Sequence, residues 1–186
     1  SPRRRTPKKY KEWAITLHTI INIKTIKKIL IGLLLVLVEI QFIRPAKNQS
    51  AELSANDISR AYTISGEMQD LLKTSCADCH SNNTVYPWYS NVQPVAWWLS
   101  NHVNEGKKEL NFSEFATYSP KKQAHKLKEV IEQVKEGEMP LNSYTWIHKN
   151  ATLTDDQKLA ISSWADALRK EIAAKNNLDL EALEKK

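Results

Sequence analysis

The sequence predicts an all-α protein, a small helical domain preceded by one N-terminal transmembrane helix. An apolar run from Ile29 to Val38 stands directly after Lys24, Lys27 and Lys28. Further along, apolar residues recur at three- and four-residue spacing between helix-capping residues. No segment shows the strict alternation of a half-buried strand. Hydrophobic residues make up 41% of the chain and only four are glycine, enough apolar material for a core and too little glycine for a low-complexity chain.

Residues 1–25 read as a basic cytoplasmic tail. Nine Lys or Arg lie before Ile29 against Glu12 alone, and the rest of the chain is slightly acidic although the total charge is +6. Charge gathered at one end in this way is a topology signal, and it sets nucleic-acid binding aside. Residues 26–43 follow as a transmembrane anchor or signal. As a helix they span about 27 Å, close to a ~30 Å hydrocarbon core, with Arg44-Pro45 ending the run and Glu39 expected at the interface. A cleaved signal peptide would show small residues at both −1 and −3, which are missing, so a retained anchor is favoured. The lysine bias leaves the N-terminus in the cytoplasm and the domain in the periplasm. Residues 44–56 are a polar linker.

The domain itself occupies 57–175. A first helix is expected from Ile58 to Cys76, with apolar residues at 64, 68, 71 and 72. Residues 81–94, with Pro87 and Pro94, form a loop. A second helix runs from Val95 to about Glu109. A third starts at Ser119-Pro120, carries Ala124, Leu127, Ile131 and Val134 on one side, and stops at Gly137. The last begins at the Thr154–Gln157 capping box and buries Ile161, Trp164, Ala165, Leu168 and Ile172. Residues 176–186 are a polar tail that frays. The middle of this body has few aliphatic residues, which suggests that something other than side chains fills it.

The chain has two cysteines, three positions apart, too few and too close for a disulfide scaffold. Cys76-Ala77-Asp78-Cys79-His80 has the spacing of covalent haem attachment. Two thiols on a tight turn can reach two vinyl groups on one porphyrin edge, and the following histidine then lies under the ring. One haem c is therefore expected, with Cys76 and Cys79 as thioethers and His80 on iron. Such attachment is completed outside the cytoplasmic membrane, which agrees with the topology. Competing readings are a zinc site using Cys76, Cys79, His80 and His102, a thioredoxin-like pair lacking its strand, and a local disulfide.

The opposite iron face calls for Met139 in Gly137-Glu138-Met139-Pro140, where a loop ending in proline can hold a thioether. Soft sulfur opposite histidine raises the reduction potential. His102, on the apolar side of the second helix, is the alternative sixth ligand, and His148 a weaker one. Met68 reads as core, and His18 and His125 have no expected role. Tyr86, Trp88, Tyr89, Trp98, His102, Pro140 and Tyr144 are candidates for the haem pocket, since aromatics pack on porphyrin and can hydrogen-bond its carboxylates. Ordinary helix packing explains any single one of them equally well.

The chain resembles the bacterial haem-binding domain family, a cytochrome-c-like group of exported or membrane-anchored proteins. The resemblance rests on Gln41-Phe42-Ile43-Arg44-Pro45, Cys76 to Ser81, Tyr86-Pro87-Trp88-Tyr89-Ser90, Trp97-Trp98, His102-Val103 with Glu105-Gly106, Leu110-Asn111-Phe112-Ser113, Gly137 to Leu141, Tyr144, His148 and Trp164. It implies a c-type haem with Cys76, Cys79 and His80 in the attachment positions. The expected function is electron transfer with a redox protein partner, by a membrane-tethered carrier and not an enzyme. The rivals are a small-ligand sensor or peroxidase-like enzyme with an open sixth site, and a zinc-stabilised interaction module.

Overall fold

A computed structural model describes residues 23–184. Most of the basic tail, with His18, lies outside the described residues, as do Lys185 and Lys186. Among the described residues the chain is all-α, without a strand.

The first helix, α1 (Ile23–Ile40), corrects the expected transmembrane element. No helix among the described residues is long and apolar enough to cross a membrane. The expected span 26–43 counted Gln41, Phe42 and Ile43, which lie beyond the end of the helix. Within α1, Lys24, Lys27, Lys28 and Glu39 leave only Ile29–Val38 as continuous apolar helix. That is about 15 Å, half of a ~30 Å hydrocarbon core.

The segment expected as a linker, and the residues just before it, are strapped to the domain. Gln93 Nε2 and Trp97 Nε1 both donate to the Ile43 carbonyl at 2.9 Å, and the Gln93 amide donates to Gln41 Oε1 at 2.9 Å. Asn48 donates through Nδ2 to the Ser81 carbonyl (2.8 Å) and to Thr84 Oγ1 (3.0 Å), while its carbonyl accepts the Thr84 amide. Polar residues without periodicity can satisfy the backbone of an irregular loop, and these do so.

The expected first helix is two. Helix α2 (Ile58–Ala61) starts under Asp57, and α3 (Gly66–Ser75) starts under Ser65, whose hydroxyl accepts the Met68 amide. The Ser65 cap breaks an apolar pattern that otherwise passes through unbroken. One turn of helix, α4 (Ala77–His80), follows, and then α5 (Val95–Glu109) with the expected bounds. Helix α6 (Pro120–Glu136) ends at Gly137 with φ 75°, the left-handed conformation that glycine adopts without cost. A short turn, α7 (Asn142–Thr145), leads to α8 (Asp155–Asn176), which carries the complete capping box. The expected fraying tail includes another helix, α9 (Leu180–Glu184).

Helix α6 packs along α8, and the core gathers Leu127, Ile161, Ala165 and Ile172 from these two with Met68 and Leu72 from α3. Phe115 and Phe112, from a 3-10 segment after α5, complete it. Met68 is thus core, as its spacing implies. Helices α3 and α5 bracket the cysteine turn, with its back on this core.

Candidate functional site

Cys76 closes α3 and opens α4. Its carbonyl accepts the amides of Cys79 (3.2 Å) and His80 (3.0 Å), so both cysteines and the histidine are held on one turn. Helix α5 crosses this turn at Gly106. A methyl group there would lie 2.6 Å from the Cys79 carbonyl oxygen, so only glycine allows the approach.

His80 Nδ1 lies 3.0 Å from the Leu110 carbonyl oxygen. A carbonyl only accepts, so Nδ1 carries the proton and Nε2 keeps its lone pair. The Phe112 ring stands edge-on to the imidazole at 6.4 Å. Burial holds the His80 pKa below its ordinary value, which favours the neutral, ligating form. With one ring nitrogen committed to the backbone, the other is free to act as a ligand, an arrangement that suits metal binding.

Both cysteines are free. Burial pushes the Cys76 thiol up to about 12 and the Cys79 thiol up to about 11, the latter helped by the neighbouring Asp78 charge. Depressed thiol pKa values, the mark of a redox-active pair, are the opposite of this. Among the described residues no group of three or more His, Cys, Asp or Glu is arranged to hold a metal ion, which leaves the zinc reading without a ligand set.

Cys76, Cys79 and His80 line one cavity of about 310 Å³ together with Met139, Pro140, His102 and Tyr144. A second cavity, about 420 Å³, shares Cys76, His80, Met139 and Pro140 with it and adds Phe112 and Lys126. A third, about 240 Å³, shares Cys79, His102 and Tyr144 and adds Tyr86, Tyr89, Trp98 and His148. The three adjoin along the cysteine turn and form a cleft walled largely by apolar and aromatic side chains. A large flat apolar group tethered at the cysteines fits such a cleft, with Met139 and His80 lining the same space.

Met139 owes its place to the end of α6. After Gly137 reverses the chain, the amides of Glu138 and Met139 both donate to the Gln133 carbonyl, at 3.0 and 3.1 Å. His102 reaches the cleft from α5, its Nδ1 2.9 Å from the Trp98 carbonyl and its ring 4.2 Å from the Trp98 ring. Tyr86 accepts the Asn48 amide on its hydroxyl at 2.8 Å.

Trp88 is not brought to the cleft. It is 79% exposed, lines none of the three cavities, and stands edge-on to Tyr89. His148 is placed more centrally than its sequence position suggests. Its Nε2 is 3.0 Å from the Tyr89 hydroxyl, and its ring stacks on Tyr144 at 4.4 Å. His125 pairs with Glu129 on the outer face of α6. Gly106 and Leu110 enter the sequence reading only through the family resemblance, without the contacts to Cys79 and His80 that the structure gives them. A glycine inside a helix was the available signal for the first, and a backbone carbonyl leaves none.

The model of a family described as haem-binding domain matches residues 35–167. No curated protein and no solved structure matches the chain.

Proposed function

Because the chain belongs to the haem-binding domain family, we propose that it holds one c-type haem and carries electrons with it. Cys76 and Cys79 would hold the group by thioethers, and His80 and Met139 would supply the ligands to its iron. The observation that carries this reading is the convergence of Cys76, Cys79, His80 and Met139 on one cavity, with His80 Nδ1 engaged by Leu110.

A haem iron between imidazole and thioether supplies one-electron chemistry at a raised reduction potential. The residues of the chain do the positioning. Leu110 fixes the His80 tautomer and ring orientation, and Gly137 with Gln133 fixes the backbone of Met139. Tyr86, Tyr89 and Trp98 supply aromatic surface to the wall of the cleft. Since attachment of this kind is completed outside the cytoplasmic membrane, the reading assigns the domain to that compartment and gives it a redox protein as partner.

The Met139→Ala variant, matured with haem, tests the ligand assignment. A lowered potential, an altered visible spectrum and new carbon monoxide binding support it; a spectrum and potential equal to the parent's defeat it. His102 is the second reading for the sixth ligand, favoured by its place on the cavity shared with His80. In that case His102→Ala, and not Met139→Ala, produces the change. A peroxide enzyme has less support, because no arginine lines any of the three cavities.

A further inference from the structure

Asp78 stands between the two attachment cysteines, at a position where thioether formation requires no particular side chain. Both oxygens of its carboxylate nevertheless accept a hydrogen bond, as does its backbone carbonyl. Oδ2 accepts the Tyr144 hydroxyl at 2.8 Å, Oδ1 accepts the Val85 amide at 2.9 Å, and the Asp78 carbonyl accepts Thr84 Oγ1 at 2.6 Å. One residue therefore joins the cysteine turn to both loops that close the cleft, residues 81–94 and 138–148.

The second of these loops carries Met139. On its near side the loop is fixed by the Gln133 carbonyl, as described above. On its far side α7 is a short turn, in which the Leu141 carbonyl accepts the amides of Tyr144 and Thr145 at 2.9 and 3.0 Å. Two side chains tie that turn to the rest of the site: Tyr144, bonded to Asp78 and 3.5 Å from the Thr74 carbonyl, and His148, whose Nε2 is 3.0 Å from the Tyr89 hydroxyl. Hydrogen bonds to a carboxylate are about twice as strong as neutral ones. Burial, together with the Asp78 charge, raises the Tyr144 pKa, so the hydroxyl remains a donor.

Resting on the haem reading above, we propose that Asp78 and Tyr144 form a latch that positions Met139 over the attachment turn. Asp78 and Tyr144 are positioning residues, acting through the loop and not on the iron. With the latch closed, the loop carrying the thioether is held in register with the turn carrying the imidazole. With it open, that end of the 138–148 loop is left with the His148–Tyr89 hydrogen bond, while the thioether attachment at Cys76 and Cys79 stays in place.

Tyr144→Phe in the full chain tests this, with Asp78→Asn, which keeps an acceptor oxygen, as the conservative partner. In the haem-free chain, amide hydrogen exchange at residues 144–148 should quicken by about tenfold or more, the effect of losing a charge-assisted hydrogen bond. Exchange in α6 and α8 should stay as it was. In the matured chain, Tyr144→Phe should keep covalent haem, lower the potential and bind carbon monoxide readily, and Asp78→Asn should show a smaller change. Unchanged exchange at 144–148 overturns the latch, and so does an exchange increase spread equally through α6 and α8. If the parent carries no covalent haem, the haem reading fails, and the exchange measurement still decides the latch by itself.

Discussion

The two halves of the cleft are built differently. The attachment half, Cys76 to His80 with Leu110 and Gly106, is backed by helices and by the core of Phe112, Leu72 and Leu127. The closing half, residues 41–50, 81–94 and 138–148, contains one-turn helices and is held mainly by hydrogen bonds between loops, centred on Asn48, Asp78 and Gln93. Packing makes the first half rigid at a fixed place. Hydrogen bonds, individually worth about 1 kcal/mol, hold the second half, which is therefore expected to open first. Under the proposed function, a cofactor attached on the packed side and capped from the hydrogen-bonded side would have its attachment and its sixth ligand under separate control.

That separation can be broken or sharpened by substitution. The largest effect is expected from Leu127→Ala, which empties a fully buried core position between α6 and α8. It should cost about 2–5 kcal/mol in urea unfolding and reduce haem incorporation in proportion to the folded fraction. Gly106→Ala comes next. Alanine improves helix propensity by about 1 kcal/mol, but its methyl meets the Cys79 carbonyl oxygen at 2.6 Å. We expect the clash to win, with a net loss of about 1–3 kcal/mol and fewer haems per chain by absorbance.

Asn48→Ala probes the other half. It removes the donors to Ser81 and Thr84 and leaves their oxygens without these partners. Global stability should fall by about 1–2 kcal/mol, while amide exchange in residues 81–94 rises far more than in α6 or α8. An equal rise everywhere would show that strap and core are one cooperative unit. The smallest effect is expected from Thr154→Ala, which removes the cap of α8 at about 1 kcal/mol. Its haem content and exchange near the cleft should match the parent's.

The same contrast explains what the sequence made legible. Helix α5 and the ends of α6 follow from local signals, a proline after serine at one end and a glycine at the other. The capping box at Thr154 is equally local. The break between α2 and α3 was hidden because Ile64, inside it, keeps helical spacing with Met68, Leu71 and Leu72 of α3. The expected membrane span failed because hydropathy along the chain included residues that lie beyond the end of α1. The strap was illegible for another reason: its partners at Ser81, Thr84 and Gln93 are more than thirty residues away and are largely backbone atoms. Within the site, the cysteine turn was readable from its spacing. His148 was legible only as a weaker ligand candidate and Asp78 only as a spacer between the cysteines, since their hydrogen bonds arise from loops that meet only in three dimensions.

The most direct test of the central claim is the intact mass of the denatured chain, expressed in a host that matures c-type haem, beside its Cys76→Ser/Cys79→Ser variant. The account predicts a parent heavier by one haem and a variant at the mass of the bare polypeptide. A parent at the bare polypeptide mass, in a host that loads a control protein, would contradict it.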